Sequence, residues 1–414
     1  MLRVEVLSQD NKLINMLNTI IYDLEISGHH LEYIHHIITY FNSNCQVDRS
    51  KYYFLLHPEF MKSATDMMDA ELLNDVNIIP ITRKEYISIF GNDNTKNISL
   101  FKSLNAIKVL KQYAKHIKAD YCIALDMDLI IKGMSISRIS NIQIRGIWFK
   151  PTARIPTTSI RSKLIKYSKL IMIKSVLILN KYSEIYVLND EYTKDQLNKS
   201  THTNQFHTLP DPVYIFDENS DGIVSCGESL EKGKMVFLLF GSLSYRKGTL
   251  HILDIIISKL SLNVLSRIQF FFVGKVDKTI SAQFYQKIKA IKNSGIASVV
   301  VVDKFIEYSQ ISHYFQISDY VLMPYLKFYG SSGVLNYAAY FEKPVITGAD
   351  GLICDLVKKY NLGITTKLDE MSLSELISKL SIPSPIRKKN NRLSSEYLQS
   401  QLPEVFSRKL LSRS

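Results

Sequence analysis

Short runs of β-branched and aromatic residues alternate along the first half of the chain with longer stretches whose apolar positions recur every three or four residues. The short runs predict strands at residues 19–25, 52–56, 76–81, 120–131, 145–149 and 184–188. The longer stretches predict helices at 29–41, 99–117 and 160–181, the second with Leu100, Leu104, Ile107, Leu110 and Tyr113 on one face. Beyond residue 235 the alternation is more regular. Strands are predicted at 236–240, 268–273, 298–302, 320–323 and 344–347, with helices at 249–260, 280–292, 311–317, 333–341 and 352–359. Strands alternating with helices of this length imply parallel sheets covered on both faces.

The pattern breaks at Leu209-Pro210-Asp211-Pro212-Val213, and residues 216–234 are polar with several glycines, as a connection between domains is. A chain of 414 residues is also too long for one ordinary core. The expected fold class is α/β, with two Rossmann-like doubly wound domains facing each other across a cleft. Expected boundaries are an N-terminal domain at 1–213, a linker at 214–234, a C-terminal domain at 235–385, and a basic helical tail at 386–414 that packs back on the first domain.

Charge adds one question. A formal net charge of +12 suits nucleic acid, an anionic membrane surface or a phosphorylated ligand. The basic residues are dispersed, with one compact run at Arg387-Lys388-Lys389, and no zinc-finger, RNA-recognition or basic-zipper pattern is present. No nucleic-acid partner is expected. Cys45, Cys122, Cys226 and Cys354 are far apart and form no C-x-x-C pair, the usage of a reducing compartment. The start of the chain does not read as a secretory signal. The longest apolar stretch, residues 164–179, is interrupted by Lys166, Lys169 and Lys174 and is not expected to span a bilayer. The helix around it also carries Arg161, Lys163 and Lys181, so it reads either as a membrane-surface helix or as a core-facing helix with a solvated lysine face. Trp148 is expected to be a packing residue. The location expected from these features is cytoplasmic, peripheral on the inner face of the membrane if that helix docks there.

Candidate chemistry gathers at two glycine loops. Phe240-Gly241-Ser242-Leu243-Ser244-Tyr245-Arg246-Lys247-Gly248 follows a strand and opens a helix, the setting in which a glycine loop and a helix N-terminus hold phosphate. Gly241 lets backbone approach a ligand, while Arg246 and Lys247 add positive charge. Pro324-Tyr325 leads into Gly330-Ser331-Ser332-Gly333, again between strand and helix, where either serine could also be a simple helix cap.

The C-terminal half resembles retaining glycosyltransferases of the GT-B fold, in the broad group called glycosyltransferase family four. The matching residues are Gly241 with Arg246-Lys247-Gly248, Phe272-Val273-Gly274, and Asp319-Tyr320-Val321 through Pro324. Gly330 to Gly333, Lys343-Pro344-Val345-Ile346 and Asn361-Leu362-Gly363 follow in order. The N-terminal half is similar more weakly, through Gly28-His29-His30 and Leu209-Pro210-Asp211-Pro212.

The resemblance implies a hexosyltransferase that takes a sugar from a nucleotide-diphosphate-sugar donor to a saccharide or lipid-linked saccharide acceptor. It implies retention, no metal and no cofactor, and a place in cell-surface polysaccharide, lipopolysaccharide or glycolipid synthesis. Arg246 and Lys247 then contact the donor diphosphate and support its departure as negative charge grows. Gly241, Ser242, Gly274, Gly330, Ser331, Ser332 and Gly333 line the donor. The family's two glutamates, however, fall on Tyr329 and Tyr337; both are candidates for donor contacts through their hydroxyls, but neither can supply a carboxylate.

In the first half, Gly28, His29 and His30 are candidates for the cleft, where acceptor or donor sugar is placed. His35 and His36 lack a local acidic or cysteine partner, so no metal site is expected. Asp126-Met127-Asp128 resembles the metal-binding Asp-x-Asp of another glycosyltransferase class, but a turn or helix-cap role is the expectation, with Asp126 facing the cleft. Two other readings stay open: a catalytically silent GT-B protein that binds sugar nucleotides or acts as a scaffold, and a sugar-nucleotide epimerase.

Overall fold

The structure, a computed structural model, describes residues 17–26, 29–45, 47–65, 68, 70–91, 97–139, 142–180, 183–215, 230–382 and 395–412. The chain forms two compact units, one of Met1–Pro212 with Leu402–Ser414 and one of Val213–Gln401.

The first unit is built from β1 (Thr19–Asp23), α1 (His29–Ser43), β2 (Tyr52–Leu56), β3 (Asn77–Pro80), α2 (Arg83–Phe90) and α3 (Leu100–Ile117). It continues with β4 (Tyr121–Ala124), β5 (Gln143–Ile147), α4 (Ile160–Leu179), β6 (Glu184–Leu188), α5 (Glu191–Thr201) and β7 (Phe206–Leu209). Its seven strands are all parallel in the order β3-β2-β1-β4-β5-β6-β7. Every residue of β1 is buried, as a strand covered by helices on both faces requires. Trp148 is buried in the core.

The unit is completed by a helix from the end of the chain, Pro403–Leu411. Its Phe406 lies 4.8 Å from the ring of Tyr33 on α1. Arg145, buried in β5, binds the end of this helix by donating to the carbonyls of Leu410, at 2.9 Å, and Ser412. Its guanidinium also pairs with Glu184 at 2.6 Å.

The second unit runs β8 (Met235–Phe240), α6 (Thr249–Ser258), β9 (Ile268–Val273), α7 (Ser281–Ser294), β10 (Ser298–Val302), α8 (Tyr308–Ile317) and β11 (Tyr320–Met323). After these come α9 (Gly333–Tyr340), β12 (Val345–Gly348), α10 (Gly351–Tyr360), β13 (Gly363–Thr366), α11 (Glu370–Leu380) and α12 (Ser395–Ser400). Its six parallel strands are ordered β10-β9-β8-β11-β12-β13. Apolar clusters cover both faces of this sheet. The final helix anchors through Tyr397, whose hydroxyl donates to Asn336 at 2.5 Å.

Both sheets reverse direction of winding at one place, between β1 and β4 and between β8 and β11. Such switch points open a crevice beyond the carboxyl ends of the two strands, and ligands bind there.

Several elements differ from the sequence pattern. The strand expected at 120–131 ends at Ala124, because the Asp126 carboxylate accepts from the Asp128 amide at 2.9 Å and bends the chain into a helical turn at Met127–Leu129. Helix α2 had a legible start in Thr82 and Glu85, which form a capping box. The helix at Ile160–Leu179 does not present a solvated lysine face alone. It buries Ile173, Val176 and Leu177 but exposes Ile160, Leu164, Tyr167, Ile171 and Ile178. Those five recur every three to seven residues and form one apolar stripe, with Arg161, Lys163 and Lys174 exposed beside it. No described helix is long and apolar enough to cross a membrane. Cys122 and Cys354 are buried free thiols, and Cys45 is an exposed one. Cys226, Arg387, Lys388 and Lys389 lie outside the described residues.

Candidate functional site

In the second unit, the loops after β8, β9 and β11 are fastened to each other by backbone. Gly241 donates to Val273 at 2.9 Å, Leu243 to Lys275 at 2.9 Å, and Leu326 to Arg246 at 2.8 Å. Gly241 and Gly274 both have positive φ, at 96° and 127°. Gly248, at φ 72°, occupies the N-cap of α6, where a Cβ would sit 2.3 Å from the Pro324 carbonyl oxygen. Only glycine allows the β8 and β11 loops to close up this far.

These contacts place Lys247 beside Tyr325. The Lys247 ammonium donates to the Tyr325 hydroxyl at 2.6 Å and lies 4.2 Å from the centre of its ring. The same hydroxyl is 3.2 Å from Ser332 Oγ. Lys247 is only 9% exposed. Burial, and then the neighbouring Arg246, push its amine down to about 7. Burial raises the Tyr325 phenol, so it remains a neutral hydroxyl. Arg246 is exposed and lies 4.7 Å over the Phe328 ring. A cation held in place, a second on a stacking platform and a helix N-terminus are the parts from which an anion site can be built.

The other expected donor residues are distributed unevenly. Ser242 is exposed on the first loop, and Gly274 is buried behind Gly241. Gly330 and Ser331 are half-buried on the loop after β11, and Gly333 opens α9 with free space where a Cβ would stand. Ser332 occupies the N-cap of α9, but its side chain makes no capping bond and turns to Tyr325 instead. The simple cap reading of Ser332 therefore does not hold. Tyr329 is half-buried, its phenol raised by burial and by Asp350. Tyr337 lies in the core, with its ring 6.4 Å from Phe240 and 5.8 Å from Phe315. Tyr325 and Phe328 were not singled out as site residues in the sequence. The signal available for Tyr325 was its position, directly after a strand end and a proline.

In the first unit, the switch point gathers Asp23, His30, Asp126 and Asp128. Asp23 ends β1 with its side chain fully buried, and its carboxylate is 2.8 Å from His30 Nδ1. Burial opposes a charge on His30, but Asp23 and then Asp126 outweigh it and hold the imidazole up to about 9. Burial, and then Asp128, raise the Asp126 carboxyl to about 7. Asp128 accepts the backbone amides of Phe149, at 3.0 Å, and Lys150, at 3.2 Å. Asp126 thus shapes the turn, and Asp128 fastens the chain beyond β5 to it. His29 packs against Tyr33 and Phe149 at ring distances of 5.9 and 6.0 Å. His36 is buried, and burial with His35 pushes it down to about 3, so it stays neutral. Gly28 lies outside the described residues. Among the described residues, no group of three or more His, Cys, Asp or Glu side chains could hold a metal.

Comparison with known proteins gives the family context. Residues 227–396 match the family described as glycosyl transferases group 1. The fold is similar to that of WaaG, a glycosyltransferase involved in lipopolysaccharide biosynthesis, at 15% identity and TM-score 0.63 over 95% of this chain and 99% of that one. It is similar to Anabaena HepE in complex with UDP and glucose, at 13% identity and TM-score 0.58 over 95% of each chain. An α,α-trehalose-phosphate synthase (UDP-forming) from Burkholderia vietnamiensis is 10% identical, with TM-score 0.60 over 95% of this chain and 96% of that one. No curated protein matches the sequence.

Proposed function

We propose that the chain, whose fold is GT-B and whose residues 227–396 match the glycosyl transferases group 1 family, is a glycosyltransferase that moves a hexose from a UDP-sugar to a saccharide or lipid-linked saccharide, with retention at the anomeric carbon. The observation that carries this reading is the convergence of Gly241, Arg246, Lys247 and the N-terminus of α6 at the switch point of the second sheet. UDP is the nucleotide of choice because HepE holds UDP and glucose and the Burkholderia synthase is UDP-forming.

In this reading the bond between the anomeric carbon and the β-phosphate oxygen breaks while the acceptor oxygen bonds to the same carbon on the same face. The acceptor proton passes to the departing phosphate oxygen. Lys247 and Arg246 stabilise the charge that the diphosphate gains, which makes a metal unnecessary at that step. Tyr337 is packed in the core, so the contacts that the family's second glutamate makes must come from elsewhere. Tyr329 at the loop edge is the residue available. In the first unit, the His30–Asp23 pair and Asp126 are assigned to placing the sugars.

The apolar stripe of α4 with its flanking cations supports a further part of the reading: the enzyme docks on an anionic membrane surface and serves cell-surface polysaccharide or glycolipid synthesis from the cytoplasmic side. The test of the donor is consumption of UDP-, GDP- and CMP-sugars by the purified chain, with and without lipid-linked saccharide. Turnover confined to a UDP-sugar is expected. Turnover of GDP- or CMP-sugars alone would discard the donor assignment.

A further inference from the structure

The pair of buried Lys247 and half-buried Tyr325 does something that two exposed cations on a phosphate loop do not. Among the described residues, the amine has one side-chain partner, the Tyr325 hydroxyl at 2.6 Å, and no carboxylate pairs with it. Arg246, on the same loop, is the charged group acting on it. Gly241 on the same loop, and Ser332 and Val334 at the start of α9, carry no ionisable side chain. A phenol hydroxyl is both donor and acceptor. It accepts from Lys247 when the amine is an ammonium, and donates to it when the amine is neutral. Ser332 Oγ, 3.2 Å away, is a second partner that holds the hydroxyl in place in either case.

We propose that Tyr325 is a positioning residue that fixes the Lys247 nitrogen in both protonation states, and that binding of a nucleoside diphosphate draws one proton from solvent onto that nitrogen. The proposal rests on the donor site proposed above and adds a partner and a proton to it. Before binding, burial beside Arg246 disfavours the ammonium, and its ionisation near pH 7 leaves much of it neutral in mildly alkaline solution. A diphosphate at hydrogen-bond distance favours the ammonium instead. The bond formed is N–H, the proton comes from water or buffer, and no electron changes hands. The empty site thereby avoids an unpaired buried charge, and the bound one gains a full cation opposite the leaving group.

The experiment is calorimetric titration of UDP into the full chain at pH 8, in buffers of different ionisation enthalpy. At that pH the UDP terminal phosphate, with its second ionisation near 6, is already deprotonated and contributes little proton exchange. Uptake of roughly nine-tenths of a proton per UDP is expected. Tyr325→Phe keeps the ring and removes the hydroxyl. About ten-fold weaker UDP binding at pH 8 is expected, with the alkaline loss of affinity beginning at lower pH, because the ammonium has lost its acceptor. Lys247→Arg is expected to bind without proton uptake, since arginine is already charged.

UDP binding by the wild-type chain with no proton exchange, together with an indifferent Tyr325→Phe, would overturn this inference and leave the donor site standing. Failure of the wild-type chain to bind UDP, GDP or CDP at all would instead overturn the donor site itself.

Discussion

Gly274 lies so close to Gly241 that a Cβ on Gly274 would stand 2.1 Å from the Gly241 carbonyl oxygen. Gly241, in contrast, has room: its nearest neighbours to a Cβ are Val334 Cγ2 at 3.7 Å and Lys247 Nζ at 3.8 Å. The two glycines therefore serve different ends, although both have positive φ. Gly274→Ala is expected to cost about 3 kcal/mol or more, because backbone must move apart. Gly241→Ala is expected to cost only about 1–2 kcal/mol for its conformation, yet to weaken donor binding, since its methyl group faces Lys247. Urea unfolding and UDP titration of the two variants separate these effects.

Arg145 ties the returning helix at Pro403–Leu411 to the first sheet. It is 2% exposed, pairs with Glu184 and donates to two carbonyls of the chain end. Arg145→Met leaves those groups without their partner and is expected to cost about 3 kcal/mol. Hydrogen exchange is the second readout. Amides of residues 403–411 are expected to lose protection, while those of the second unit keep theirs.

His30 gives the first unit a pH dependence of definite sign. Its imidazole is held at about 9 against an ordinary 6.5. A raised value means that the folded state binds the proton more tightly, so the stabilisation is complete below pH 6.5 and fades as pH rises through about 9. The melting temperature of the wild type is expected to exceed that of His30→Gln most at low pH, with the gap closing near pH 9.5. A gap independent of pH would show that Asp23 and Asp126 do not hold a charge on His30.

The stripe on α4 predicts membrane binding that depends on both shape and charge. The double substitution Leu164→Glu and Ile171→Glu changes two exposed positions, so the fold is expected to persist. Sedimentation with phosphatidylglycerol vesicles is expected to fall about ten-fold in the variant, and to be weaker for both proteins with phosphatidylcholine. Equal sedimentation of variant and wild type would remove α4 as the docking surface.

The second unit was more legible in sequence than the first. Its strands at 268–273 and 320–323 have the boundaries that their apolar runs suggest, because a strand buried on both faces must be apolar throughout; the half-buried edge strand at 298–302 was marked by its run of four valines. Strand β13 escaped notice because Gly363–Thr366 is half-buried at a sheet edge and carries little apolar signal. Helix α5 escaped because its exposed face is polar and only Thr193 and Leu197 are buried.

At the candidate site, Arg246 and Lys247 could be named from their glycine loop. Their difference could not: one is exposed over Phe328, the other is buried against Tyr325. Sequence spacing gives neighbours along the chain, whereas Lys247 and Tyr325 meet only because β8 and β11 lie side by side. Asp23 and His30, by contrast, are seven residues apart, at the end of β1 and the start of α1. Tyr337 shows the reverse case, a residue aligned with a functional position whose ring is taken up by the core.

Calorimetric titration of UDP into the wild type, Arg246→Ala and Lys247→Ala, each checked for a cooperative melt, bears most directly on the diphosphate site. Loss of either cation is expected to weaken binding about ten- to hundred-fold, as removal of a charge-assisted contact to phosphate does. Well-folded variants that bind UDP as tightly as the wild type would show that the diphosphate lies elsewhere.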